Sequence, residues 1–186
     1  MKDFLSLAKS RKTTYEFEES SVSDKAVGKI LEAGRWAPSC TNTQSWHFIV
    51  IKDKKNINNL VMTANYGDFH TDPSLIIALV LVKKLCPDKN FSCFKGHDSF
   101  VHDSFMCVGM AALNMILEAR DLDIDSCLLT PSQKEVKSLL KVKKEDAVPL
   151  LVGLGRQRKG AFQKKRERKE LKDIVSYEVF GRKEQL

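Results

Sequence analysis

The spacing of apolar residues changes along the chain, and each change marks an element. Residues 2–9 place Phe4, Leu5 and Ala8 on one side, which predicts a short first helix. Arg11-Lys12-Thr13-Thr14-Tyr15 then breaks the helical period with β-branched and aromatic residues. Ser21 or Ser23 can cap a second helix, whose buried stripe is Val22, Ala26, Val27, Ile30, Leu31 and Gly34. Pro38 stops that helix, because it has no N–H to give and its ring crowds the preceding turn. Trp46 to Ile51 reads as a strand. Lys54 to Ala64 reads as a helix with Ile57, Leu60 and Val61 turned inward. Leu75 to Val82 is an unbroken apolar run, as expected of a central strand covered on both faces.

Residues 99–120 predict the longest helix. Phe105, Cys107, Val108, Met110, Ala111, Leu113, Ile116 and Leu117 cover nearly every direction around it, which predicts a path through the middle of the protein. Ser126 to Leu129 is a short strand. Pro131, with Thr130 or Ser132 beside it, opens a small helix. Val148 to Leu154 is a further strand, with Pro149 tolerable near its beginning. Together these predict one α+β domain over residues 1–186, a central sheet flanked by helices. The tail still carries Leu171, Ile174, Val175, Tyr177, Val179 and Phe180, an apolar set that predicts docking on another surface.

Composition narrows the class. A chain of 186 residues with 42% hydrophobic and 30% charged residues can bury a sizeable core and is neither disordered nor fibrous. Its most apolar stretch, Phe105 to Leu117, is interrupted by Asn114 and falls short of the ~20 residues a membrane span needs. Met1-Lys2-Asp3-Phe4 carries an early acid and no signal-type apolar run. The cysteines, at 40, 86, 93, 107 and 127, are odd in number and scattered, which fits a reducing, cytoplasmic setting. The net charge of +7 belongs to one segment. Residues 156–172 hold nine basic and two acidic side chains, and the remainder balances at 22 of each. That segment is either an anion site or a solvated tail.

The most informative stretch is Ala37-Pro38-Ser39-Cys40-Thr41-Asn42-Thr43-Gln44-Ser45-Trp46. It leaves a helix, passes through small polar residues and enters a strand. Asn42 and Gln44 supply primary amides, which carry donors and acceptors together and can read the edge of a flat heteroaromatic ring. A solvated connector is the plain alternative.

Ala-Pro-Ser-x-x-Asn-x-Gln-x-Trp after a helix, preceded by Arg11-Lys12-Thr13, resembles the nitroreductase family of FMN-dependent oxidoreductases. Asp103 ahead of the long helix, then Asp125-Ser126-Cys127-Leu128-Leu129, is similar to the family's second flavin loop. Arg168-Lys169-Glu170-Leu171-Lys172-Asp173-Ile174-Val175, with Tyr177 and Gly181 beyond, is similar to its C-terminal signature. The resemblance implies a mostly antiparallel sheet in an intertwined homodimer, the basic tail 156–186 reaching across to the partner. It implies that Arg11, Lys12 and Thr13 hold the FMN phosphate and ribityl chain, joined by Arg166 and Arg168. Pro38, Ser39, Cys40, Asn42 and Gln44 would line the isoalloxazine ring, part of this loop coming from the other subunit. Leu128, Leu129 and Thr130 would meet the ring through backbone groups, and Asn65 is a candidate for its pyrimidine edge. The implied activity takes a hydride from NADH or NADPH and passes it by a ping-pong mechanism to a nitroaromatic, quinone or similar small acceptor. The chemistry is the cofactor's, so no catalytic acid or base is nominated.

Three positions depart from the family pattern. Tyr15 stands where a basic residue is frequent, Ser45 where proline is, and Asp123 where a glycine follows the long helix. The short chain leaves little material for a lid, which implies an exposed flavin. Other readings compete. Cys86, Cys93, His97 and His102 are zinc-type ligands at loose spacing, against a polar loop. Cys40 is a reactive thiol or a small side chain chosen for fit. Trp36 and Trp46 read as core residues before stacking surfaces. The 156–172 segment with Phe162 could bind nucleic acid, although it lacks interleaved aromatics. A flavin-binding sensor or carrier without turnover is the remaining alternative.

Overall fold

The computed structural model describes residues 3–64, 71–85, 103–163 and 166–182. Four strands form one sheet: β1 (Trp46–Ile51), β2 (Leu75–Leu81), β3 (Asp125–Leu129) and β4 (Ala147–Gly155), in the order β1-β2-β4-β3. Every neighbouring pair is antiparallel. The helices are α1 (Phe4–Ser10), α2 (Asp24–Arg35), α3 (Lys54–Met62), α4 (Asp103–Asp121), α5 (Gln133–Leu140) and α6 (Leu171–Ile174).

The unbroken apolar run of β2 divides its side chains between two cores. Leu75, Ile77, Leu79 and Leu81 pack with Val27 and Ile30 of α2 and with Cys107, Val108, Ala111 and Met115 of α4. Ile76, Ala78 and Val80 point the other way, to Phe17, to Ile57, Leu60 and Val61 of α3 and to Val136 of α5. A period-two strand buried on both faces needs an apolar residue at every position, and all seven residues of β2 are buried. Gly34 lets α2 and α4 close on each other: a Cβ there would meet Met115 Cε at 2.3 Å.

Several expectations shift. Ser23 caps α2, accepting from Ala26 N–H, so Ser21 is not the cap. Pro149 lies in a central strand. It is tolerated because the β2–β4 register shifts between Leu79 and Leu81, opposite that point. Trp46 is buried, but Trp36 is 73% exposed, its indole N–H held by Glu32 at 2.7 Å and its ring under Arg35. The long helix is not covered all round within one chain: Phe105, Met106, Met110 and Leu113 lie on an exposed side. The tail's Leu171, Ile174, Val179 and Phe180 are exposed as well. Among the described residues no helix is long and apolar enough to cross a membrane. Asn65, Cys86, Cys93, His97 and His102 lie outside the described residues.

Candidate functional site

A cluster of arginines forms where α1 ends. Asp3 caps the helix start, accepting from Leu5 N–H at 3.0 Å. At the other end the last carbonyls lack intrahelical donors. Arg166 supplies them, donating to the Arg11 carbonyl and to the Lys9 carbonyl at 3.4 Å. A side chain 155 residues away in sequence thus ties the basic tail to the first helix. Burial presses the Arg11 guanidinium below its ordinary value, and the neighbouring Arg166 and Arg168 charges press it further. Like charges gathered this way favour a bound anion, and forked guanidinium donors suit a phosphate. Arg11 Nη1 also reaches Thr13 Oγ1 at 3.4 Å.

The chain then runs along the sheet's edge. Thr13 bridges Ser126 in parallel register, and Thr14 N–H donates to the Ser126 carbonyl at 3.2 Å. Because β3 is the outer strand, the backbone of Leu128, two residues on, faces the same edge. Leu128 and Thr130 are exposed, whereas the Leu129 side chain is buried in the core and, by the same alternation, its backbone groups face β4.

Lys12 turns away from its neighbours. Its ammonium donates to Gln157 Oε1 and lies 3.8 Å from Asp125 Oδ1. Asp125 is only 7% exposed and is the hub of this region. It accepts from Arg120 Nη1 at 3.1 Å and from the Gln157 backbone N–H at 3.0 Å. Arg120 in turn reaches Ser10 Oγ at 3.4 Å. One buried carboxylate therefore joins α4, β3, the start of the basic segment and the 10–13 stretch. Sequence reasoning placed Asp125 only at the head of the second flavin loop and did not single out Arg120 or Gln157. The available signal was an acid opening a strand that is otherwise apolar or small.

The amide loop is held elsewhere, on α4. Cys40–Asn42 form one 3₁₀ turn, and the Cys40 backbone N–H donates to Cys107 Sγ at 3.4 Å. Ser39 Oγ accepts from Gln44 N–H at 3.0 Å, and Gln44 Nε2 donates to Asn42 Oδ1 at 3.1 Å. Thr41, Asn42 and Gln44 all have positive φ, at 50°, 56° and 47°. Such a concentration of left-handed residues without glycine is strained, and strain of this kind gathers at functional loops. The exposed faces of Pro38, Thr41, Asn42 and Gln44 form its outer surface. Below them Thr43 Oγ1 and Ser45 Oγ are buried without a hydrogen-bond partner.

The structure thus brings together Arg11, Thr13, Arg166, Arg168 and the outer edge of β3. It sends Lys12 to Asp125, and it holds Ser39, Cys40, Asn42 and Gln44 as a second group on α4. Among the described residues no three His, Cys, Asp or Glu side chains cluster as a metal site.

Fold and site define an α+β chain with an antiparallel sheet and a guanidinium cradle beside its edge strand. Comparison with known proteins sharpens the class. The model of the nitroreductase family matches residues 8–69. A protein of Archaeoglobus fulgidus, provisionally named NADH dehydrogenase/NAD(P)H nitroreductase, is 29% identical over 141 residues, 75% of each chain. A nitroreductase family protein from Clostridium difficile 630 superposes with a TM-score of 0.81 at 22% identity, over 96% of this chain and 99% of that one. A provisionally named nitroreductase from Desulfovibrio desulfuricans, solved in complex with FMN, gives 0.76 at 23%, over 97% and 99%. The resemblance read from the motifs therefore holds: the chain matches the nitroreductase family in sequence over residues 8–69 and carries the nitroreductase fold over nearly its whole length.

Proposed function

We propose that this protein is an FMN-dependent oxidoreductase that draws on NADH or NADPH and reduces a small planar acceptor such as a nitroaromatic or a quinone. The observation that carries the reading is the convergence of Arg11, Arg166 and Arg168 from opposite ends of the chain. A dianionic phosphate answers that convergence, each charge-assisted contact contributing about 1.5–3 kcal/mol. Thr13 adds a hydroxyl within reach of the same anion. The Leu128 backbone lies along the edge where a ring joined to that phosphate would run. Asn42 and Gln44 would present donors and acceptors to the ring's polar edge.

The cradle and the amide loop belong to different parts of one chain. We assign the complete site to a homodimer in which the loop of one protomer meets the cradle of its partner. The exposed Met106, Met110 and Leu113 of α4 and the exposed apolar residues of the tail support this, since they leave a large surface to be covered. When bound, FMN would supply the hydride chemistry, accepting from the nicotinamide and giving to the acceptor in turn. The protein's residues bind, orient and shape the pocket, and none is assigned a proton-transfer role.

The nucleic-acid reading is disfavoured because part of the basic segment is spent on its own chain. Arg158 pairs with Glu16, and the segment lacks interleaved aromatics. The absorbance spectrum of the purified protein tests the proposal. Flavin bands that bleach anaerobically on adding NADH or NADPH are expected. Bands that persist indicate a carrier. A protein that takes up no FMN and binds oligonucleotides in a salt-sensitive way overturns it.

A further inference from the structure

Cys40 and Cys107 lie 67 residues apart in sequence but touch in the fold. The Cys40 N–H donates to Cys107 Sγ at 3.4 Å, and the Cys40 side chain packs on the core cluster that contains Cys107. An N–Cα bond of about 1.46 Å then puts the Cys40 Cα within about 4.9 Å of that sulfur. That leaves the Cys107 sulfur within about a side chain's length of the Cys40 backbone, the proximity a cystine needs. The two residues also differ in setting. Cys107 is 3% exposed in α4, whereas Cys40 is partly exposed and begins the turn that carries the strained amide loop.

We infer that Cys40 and Cys107 are a redox-reversible pair whose disulfide ties the amide loop to α4. The oxidant is a hydroperoxide. The sulfur of Cys40, the more exposed residue of the two, attacks the peroxide as thiolate; an S–O bond forms, the O–O bond breaks, and the leaving oxygen departs as water after taking up the thiol's proton. Cys107 then attacks the Cys40 sulfenic acid. An S–S bond forms, the S–O bond breaks, and a second water leaves with the Cys107 proton. Two thiols and one hydrogen peroxide give one disulfide and two waters. A dithiol reductant reverses the bond. The third described cysteine does not compete. Cys127 is 1% exposed in the core on the opposite face of the sheet, where burial pushes its thiol up to about 12.

Asn42 and Gln44 lie two and four residues beyond Cys40, so the bond acts on the groups assigned above to the flavin ring. That consequence rests on the proposed function; the bond itself does not. The test treats the full-length reduced protein with stoichiometric hydrogen peroxide, blocks remaining thiols with iodoacetamide, and maps peptides without reduction. The expected result is a linked Cys40–Cys107 peptide, lighter than its parts by two hydrogens, that dithiothreitol separates. Cys40→Ser and Cys107→Ala should each abolish it, and Cys40→Ser suffices if the core variant does not fold. Both cysteines remaining alkylatable, Cys40 stopping at sulfinic acid with Cys107 still free, or Cys40 linked to another cysteine would each overturn the inference. FMN titration of both redox forms separates the two claims. A linked peptide with no flavin binding in either form removes the proposed function and leaves the disulfide standing.

Discussion

Replacing Asp125 with Asn should cost far more than losing a surface charge. The substitution keeps the side chain's shape and one oxygen but removes the negative charge. Asp125 is 7% exposed and faces Arg120 at 3.1 Å, the Gln157 N–H at 3.0 Å and the Lys12 ammonium at 3.8 Å. Hydrogen bonds to a charged group contribute about 1.5–3 kcal/mol each, against about 0.5–1.5 for neutral pairs, so both strong bonds weaken. The Arg120 side chain is only 22% exposed and is left without its buried counter-charge. Breaking such a pair from one side costs about 3–5 kcal/mol, well above the roughly 0–1 kcal/mol of an exposed pair. Equilibrium urea unfolding at fixed protein concentration is the assay. With a slope of about 2 kcal/mol/M, the midpoint should fall by about 1.5–2.5 M. A double-mutant cycle with Arg120→Gln should give a coupling of about 0.5–3 kcal/mol. A loss below about 1 kcal/mol with no coupling would refute the assignment of Asp125 as the hub joining α4, β3 and the basic segment.

Arg11→Ala should weaken FMN binding about 10- to 100-fold, the equivalent of about 1.5–3 kcal/mol, while the flavin-free protein melts no lower, because a like charge has been removed from Arg166 and Arg168; fluorescence titration and thermal melts check both, and Arg182→Ala should leave affinity unchanged. Gly153→Ala should destabilise by about 1–3 kcal/mol in chemical denaturation, since its new Cβ would stand 2.6 Å from Cys127 Sγ and 3.2 Å from Pro73 Cγ. Glu32 is held down to about 2, first by its bond to Arg35 and then by the Trp36 indole. A depressed carboxylate contributes above its ordinary range and loses that contribution as pH falls toward 2. The Trp36 signal, taken as wild type minus Trp36→Phe, should therefore change near pH 2; a midpoint near the ordinary value of about 4.3 would contradict the clamp.

The parts of the fold governed by local pattern were readable from the chain. The apolar run 75–82 could only be a strand covered on both faces, and β2 divides its side chains between two cores. The departure at Asp123 was also readable, and the structure explains it. Asp123 takes φ 56° just past α4, and Ile124 N–H closes back on the Ala119 carbonyl at 2.8 Å. This helix ending favours glycine at that position, and Asp is among the residues that tolerate it. What stayed hidden depends on distant partners. Asp125 is defined by Lys12, Arg120 and Gln157, and no periodicity brings those together. Trp36 looked like core because of its size, but it follows the last turn of α2, where Glu32 and Arg35 hold it on the surface. The exposed side of α4 was misread for the same reason, since an apolar helix face does not say whether its cover comes from its own chain.

The relative affinity of FMN and riboflavin for the flavin-free protein tests most directly whether the arginine cradle exists to hold a phosphate. The two ligands share the ring and ribityl chain and differ only in the anion. FMN should bind at least about 10-fold more tightly, with the preference falling toward parity in Arg11→Ala and in Arg168→Ala. Equal affinity for the two flavins in the wild-type protein would contradict the account.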